Sequence, residues 1–141
     1  MINFEDCFVG RQWQGQTFTL VEEDIINFSK QWDPQIFHTD KELAKNSYYG
    51  GITAPSAYLF AITSKLFNNI DQYNAIRGME SRFNIPIPAF SGDILTFHLS
   101  CLAKRISLSK SDRGIIEFAL KLINQHKKVT FDGISTVMMY S

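Results

Sequence analysis

The chain has 141 residues, a length that suits one domain with a sizeable core. Its 14 Lys and Arg balance 14 Asp and Glu, which argues against nucleic acid as a partner, since such proteins normally carry a basic excess. No stretch approaches the roughly 20 apolar residues of a membrane span, and MINFEDCFVG has neither a basic region nor an apolar signal core, so a cytoplasmic protein with no membrane partner is expected.

Hydrophobic residues make up 45% of the chain, with 12 Phe among them, which predicts an aromatic-rich interior. The two cysteines, Cys7 and Cys101, are far apart in sequence and have no metal-like spacing; buried free thiols in apolar, strand-like surroundings are expected. GQTFTL (Gly15 to Leu20) reads as a short strand. Thr19 and Glu22 then fit a Ser/Thr-x-x-Glu capping box that starts a helix. Val21, Ile25, Phe28 and Trp32 follow at helical spacing as one apolar stripe. Asp33-Pro34 ends this helix, because proline disfavours helical geometry in the residue before it. Asp40 is placed to cap a short helix over Lys41 to Asn46, and SYYGGITAPS forms a loop.

A third helix is predicted from Ser56 or Ala57 to Asn69. It is apolar over most of its circumference, the pattern of a buried helix. MESRFNIPI (Met79 to Ile87) is a short strand, followed by a tight turn at Gly92-Asp93. Period-two alternation then marks long strands. Leu95, Phe97, Leu99, Cys101 and Ala103 fall on one face of the first; Ile116, Phe118, Leu120 and Leu122 on one face of the next. A last strand over Lys128 to Tyr140 follows a turn at Gln125 to Lys127. Strands in series with short connections make an antiparallel sheet, and one apolar helix beside it predicts an α+β fold with the sheet wrapped around the helix.

Four blocks in this order resemble the MaoC-like hydratase/dehydratase family. They are DPQIFHTDKELAKNSYYGGI (Asp33 to Ile52), TAPSAYLFA at the start of the apolar helix, IPIPAFSGDILTF, and KRISLSKSDRGIIEFALKLINQ. The first has the family's Asp five residues before a His, then an Asp, a short Ala-containing helix and an aromatic-Gly-Gly-aliphatic turn. The resemblance implies one hotdog domain over residues 1–141. It also implies (R)-specific hydration of trans-2-enoyl thioesters, or the reverse dehydration of 3-hydroxyacyl thioesters. The substrate would be carried on coenzyme A or acyl carrier protein, the protein would be a homodimer or a larger dimer-based assembly, and no cofactor is implied.

Carried over residue by residue, the resemblance makes Asp33 the base for water and His38 the residue that holds the same water and helps return a proton. Histidine suits this role because its ordinary pKa, about 6.5, lets it exchange protons near neutrality. The competing reading makes Asp33-Pro34 a turn and His38 a structural polar residue. The thioester oxygen would meet a free amide at the start of the apolar helix, at Ser56 or Ala57, where donors and the helix dipole favour negative charge. Many family members have Gly at the position of Ser56, preceded by His or Ser; here the pair is Pro55-Ser56, and Pro55 has no amide hydrogen. Phe37, Tyr48 and Tyr49 are candidate walls of the acyl pocket, with plain core packing as the equal alternative. Gly51 and Ala57 complete the substrate-binding set.

Arg77, Arg82, Lys104, Arg105, Lys110 and Arg113 are candidates for the phosphates of coenzyme A, weighed against solvated surface charge. No His, Cys or acid cluster has metal-ligand spacing, and no Gly-rich phosphate loop is present. Two further readings stand beside the hydratase. One is a catalytically silent hotdog subunit that binds acyl thioesters or pairs with an active partner. The other is a thioesterase, disfavoured because the apolar helix has no acid before Asp71.

Overall fold

The computed structural model describes residues 1–141, the side chain of Gln14 excepted. Five strands form one antiparallel sheet: β1 (Gln12–Thr19), β2 (Ala75–Asn84), β3 (Ile94–Ile106), β4 (Arg113–Ile123) and β5 (Val129–Tyr140), in the spatial order β1-β3-β4-β5-β2. The helices are α1 (Glu22–Trp32), α2 (Ile36–Thr39), α3 (Lys41–Lys45) and α4 (Ser56–Ile70), with a 3₁₀ turn at Phe4–Asp6. The long sheet wraps around α4, the α+β hotdog arrangement expected from the alternating strands and the apolar helix.

Alternation explains the layering. Phe97 pairs with Leu122, Leu99 with Leu120 and Cys101 with Phe118, so one face of β3 and β4 presents a continuous buried surface. Leu59, Ile62, Thr63 and Leu66 of α4 are buried against this core. The other side of α4 is only partly covered by the chain: Ala57 and Ala61 are exposed, and Phe60, although it stacks on Phe83, is 36% exposed. The helix is therefore half covered by its own chain, a correction to burial on all sides. A single sheet layer offers only one surface to pack against.

Several local expectations change. Thr19 does not cap α1; its backbone is claimed by the β1–β3 ladder, opposite Ile94. Leu20 continues the link, donating to Asp93 O at 2.8 Å and accepting from Gly92 N at 2.7 Å. The helix starts two residues later, with Val21 as N-cap and no side-chain cap; Glu22, Glu23 and Asp24 place negative charge in its first turn. The Val21–Trp32 stripe is not a core face either. Ile25 and Ser29 are fully buried while Trp32 is 66% exposed, because the packed face of α1 centres on the middle of the helix.

The first strand extends back to Gln12, opposite Ser100. Gly15 lies in the register break between Gln14 and Thr17, where a side-chain carbon would collide with the carbonyl of Phe97. Strand β2 begins at Ala75 and stops at Asn84, opposite Asp132, so Ile85 to Ile87 lie beyond it. The predicted turn at Gly92 is present, with Gly92 at φ 89°. Cys7 caps the 3₁₀ turn rather than lying in a strand; both thiols are free and buried.

Candidate functional site

The carboxylate and the imidazole reach their positions through three consecutive local events. Asp33 is the C-cap of α1, its N–H donating to Ser29 O at 2.8 Å. Pro34 prevents the helix from continuing. Gln35 then caps a single helical turn, α2, closed by His38 N to Gln35 O (2.9 Å) and by the Thr39 hydroxyl to the same oxygen (2.9 Å). Asp40 both ends α2 and caps α3, accepting from Leu43 N at 2.9 Å as its sequence position suggests. α2 is too short for periodicity to reveal; its only sequence trace is the cluster of turn-forming and capping residues between Pro34 and Asp40.

His38 is buried, and its tautomer follows from its partner. Nδ1 lies 2.5 Å from the backbone oxygen of Thr53 and 3.3 Å from the Thr53 hydroxyl. A carbonyl oxygen only accepts, so Nδ1 carries a hydrogen, and in the neutral ring Nε2 presents a lone pair. Nε2 lies 3.8 Å from Asp33 Oδ2. That is too long for a direct hydrogen bond, and it leaves both groups free to share a third, small polar molecule. The Asp33 carboxylate is about one-third exposed while the imidazole is enclosed.

The segment that holds His38 is itself held on both sides. Thr53 N donates to Phe37 O (3.0 Å), Ala54 N to Ala89 O (2.8 Å), and Ser91 N to Ile52 O (3.0 Å). Thr53 also bridges Phe90 in an antiparallel pair. Immediately after this strip α4 begins. The Pro55 carbonyl accepts from Tyr58 N and Leu59 N, while the amides of Ser56 and Ala57 occupy the first helical positions, where a helix has no internal acceptor.

A pocket of about 360 Å³ brings Phe37, His38, Tyr48, Tyr49, Thr53 and Ser56 to one lining, closed by the Ile85–Pro88 segment. Phe37, His38, Tyr49 and Ser56 therefore share a site, although Phe37 and Ser56 are 19 positions apart. Phe37 packs on Tyr49 at 5.1 Å and on the His38 ring at 4.6 Å, so these aromatics also fix the imidazole. Asp33 faces this pocket only through His38. Gly51 lines a different hollow, beside Glu22, Lys45 and Phe90, and Ala57 is exposed at the helix start outside the pocket lining. Tyr58, one position on, stacks on Phe28 at 4.8 Å, and burial raises its hydroxyl pKa.

Sequence reasoning missed Thr53, Ile85, Pro86 and Pro88 as site residues. Thr53 acts through its backbone oxygen, which no side-chain pattern reveals. Among the cationic candidates, Lys104 donates to Phe4 O at 2.9 Å and Arg113 forms a two-pronged pair with Asp112 at 2.7 and 2.9 Å. No group of three or more potential metal ligands occurs among the described residues. No described helix is long and apolar enough to cross a membrane.

Comparison with known proteins agrees with the fold. No family model matches the chain. An uncharacterized Bacillus subtilis protein, YdeM, is 26% identical over 141 residues, covering 98% of this chain and 99% of the relative. The crystal structure of a MaoC-like dehydratase from Rhodospirillum rubrum superposes with a TM-score of 0.93 at 28% identity, covering 99% of this chain and 97% of that one. The (R)-hydratase PhaJ1 of Pseudomonas aeruginosa has the same fold, with a TM-score of 0.82 at 21% identity over 98% of this chain and 85% of that one. With its sheet wrapped around α4 and this likeness along nearly its whole length, the chain has the hotdog fold and is similar to MaoC-like dehydratases.

Proposed function

We propose that this chain catalyses the (R)-specific addition of water to trans-2-enoyl thioesters, and the reverse dehydration, with the acyl group on coenzyme A or acyl carrier protein. The observation that carries this reading is the 3.8 Å gap between Asp33 Oδ2 and a His38 Nε2 whose tautomer Thr53 O imposes, in a site that opens on the start of α4.

A water in that gap would donate to both acceptors. As its oxygen bonds to C3 of the enoyl group, Asp33 takes one proton. The electrons of the C2–C3 double bond pass into the thioester enolate, whose oxygen the amide of Ser56 or Ala57 would meet. C2 then takes a proton back through the Asp33/His38 pair. One water is consumed and the pair ends as it began. His38 suits this role because its other nitrogen is anchored, so the ring cannot turn away. Phe37 and Tyr49 supply apolar surface beside it.

The likeness to a dehydratase and to an (R)-hydratase supports both the direction and the stereochemistry. A second copy of the chain would cover the open face of α4 and the free edge of β2, a ten-residue strand exposed along almost its whole length. A homodimer in solution is the expected state.

The Ser56 side chain in the pocket lining favours one competing reading, a subunit that binds acyl thioesters without turning them over. Crotonyl-CoA distinguishes them. A hydratase removes the absorbance of the conjugated thioester without releasing free thiol; thiol release identifies a thioesterase. No change on either carrier across chain lengths identifies the silent subunit. D33N and H38A are expected to lower kcat by about 10² to 10⁴, the usual contribution of a positioned acid or base, while folding and dimerisation persist. Near-normal turnover in either variant would refute the assigned roles.

A further inference from the structure

A second cavity, of about 290 Å³, lies between α4 and the inner surface of β2 and β5, lined by Phe60, Thr63, Ser64 and Phe67 of α4 and by the small residues Ala75, Gly78, Ser81 and Ser135. It and the His38 pocket lie in line. Along α4 the order is Ser56 in the His38 pocket, then Phe60, then Thr63, Ser64 and Phe67 in the second cavity. Along β2, in the reverse direction, Ala75, Gly78 and Ser81 line the second cavity; Phe83 follows, and Ile85 to Pro88 line the His38 pocket.

At the level between Ser56 and Thr63 on α4, and between Ser81 and Ile85 along β2, lies a stack of rings. Phe60 packs on Phe83 with centroids 5.4 Å apart and 21° between planes, and Phe83 on Phe131 at 4.8 Å and 24°. Gly133 makes room for it. It sits opposite Phe83 in the β2–β5 pairing, and a side-chain carbon there would lie 2.9 Å from Phe131 Cε1 and 3.1 Å from Phe83 Cβ. Each strand and the helix thus donates one ring at the same level. Phe60 is the residue of the second cavity nearest the Ser56 end of α4.

We infer that the Phe60–Phe83–Phe131 stack is a partition that closes the far end of the catalytic pocket and restricts the acyl group to short chains. The inference rests on the hydratase reading of the His38 site. Ser56 and Phe60 are four residues apart, about 6 Å along the helix at 1.5 Å per residue. From a thioester held at Ser56 that distance admits about four to six acyl carbons. A longer chain must displace the rings. With the partition removed, the apolar cavity beyond it becomes continuous with the site and accepts about five further carbons, since Thr63 and Phe67 lie about 4.5 and 10.5 Å past Phe60 by the same rise.

The test compares 2-enoyl-CoA substrates of four, six, eight, ten and twelve carbons on the wild type, on F60A and on F83A. The wild type should favour four to six carbons. Each variant should raise the ratio of kcat/KM for ten carbons to that for four carbons by at least tenfold. A wild type that turns over ten- and twelve-carbon substrates as well as crotonyl-CoA overturns the inference without any variant. So does an unchanged length profile in variants with wild-type circular dichroism. F60L and F83L replace the alanine variants if these fail to fold, with a smaller shift in the same direction.

Saturated acyl-CoAs separate this outcome from failure of the hydratase reading. Calorimetry should show dodecanoyl-CoA binding at least tenfold more tightly to F60A than to the wild type, with butanoyl-CoA shifted far less. That result supports the partition even in a protein that hydrates nothing, and equal dodecanoyl-CoA affinities in the two proteins refute it.

Discussion

Ser56→Pro removes one amide hydrogen from the site at little structural cost, and so tests whether the start of α4 stabilises the enolate. Ser56 is the first helical residue, a position that tolerates proline because its N–H has no partner inside the helix. Residue 55 must be extended to precede a proline, and Pro55 already is, at φ −66° and ψ 152°. The substitution therefore breaks no backbone hydrogen bond of the helix; Tyr58 and Leu59 still donate to Pro55 O. Ser56 and Ala57 contribute the two free amides nearest the pocket, and removing one donor from such an anion site costs roughly 10² to 10³ in kcat, about 2.7 to 4 kcal/mol of barrier. S56G is the control that keeps the amide and removes the side chain. The assay is steady-state hydration of crotonyl-CoA, with circular dichroism to establish that both variants fold. S56P should fall by the full factor in kcat while S56G stays within about threefold of wild type. Equal rates for the two variants would show that the Ser56 amide does not touch the reacting oxygen.

Two further expectations concern stability. Asp93 is buried at the Gly92 turn and accepts from Phe90 N and from Gln125 Nε2, each at 2.9 Å; D93A leaves Phe90 N unpaired while the exposed Gln125 amide turns to water, and should cost about 1 to 3 kcal/mol, a fall in Tm of about 3 to 10 °C, with D93N losing about half, and a D93A midpoint equal to that of the wild type would refute this. Burial, then the neighbouring Cys101, pushes the Cys7 thiol from 9.0 up to about 11. Thiolate is the reactive form, so a disulfide reagent at pH 8 should label neither cysteine in the native protein and both in denaturant. Because the folded-state value is raised, the associated stability is full below pH 9 and lost as pH climbs towards 11, which chemical denaturation at pH 7.5 and 10.5 measures.

Much of the architecture is visible in local patterns. The period-two runs in β3 and β4 name their own buried faces, Asp33-Pro34 marks the end of α1, and Asp40 caps α3 as its position suggests. These are interactions between residues within about four positions of each other or on one strand face. The errors lie where a long-range contact overrides a local signal. Thr19 has the chemistry of a cap, yet β3 takes its backbone into the ladder. Trp32 keeps the helical period of Ile25 but projects past the end of the packed surface. Gly51 adjoins the site in sequence, yet the chain turns between Tyr49 and Ile52 and carries it to another hollow. The ring partition could not be read at all, since Phe60, Phe83 and Phe131 come from three elements with no shared motif.

The family resemblance points to Asp33 and His38 as a pair, but their sequence spacing of five does not by itself produce a site. The spacing becomes a geometry because two hydrogen-bonded systems meet there. One is the α1 terminus, which sets the carboxylate through the Asp33 N to Ser29 O bond. The other is the strip from Ile52 to Ala54, which receives His38 on one side and is tied to Ala89, Phe90 and Ser91 on the other. That same strip leads directly into Pro55 and the free amides of α4. A rotation of the strip would move the imidazole and the helix start together, so the distance from the His38 ring to the proposed enolate donor is held by the His38 to Thr53 hydrogen bond and the few covalent bonds from Thr53 to Ser56. Pro55 contributes to this stiffness: it fixes φ at the junction and its carbonyl closes the first turn through two hydrogen bonds. The departure from Gly at Ser56 therefore costs the site no donor. What it changes is the space beside the thioester, and the S56G control measures that quantity.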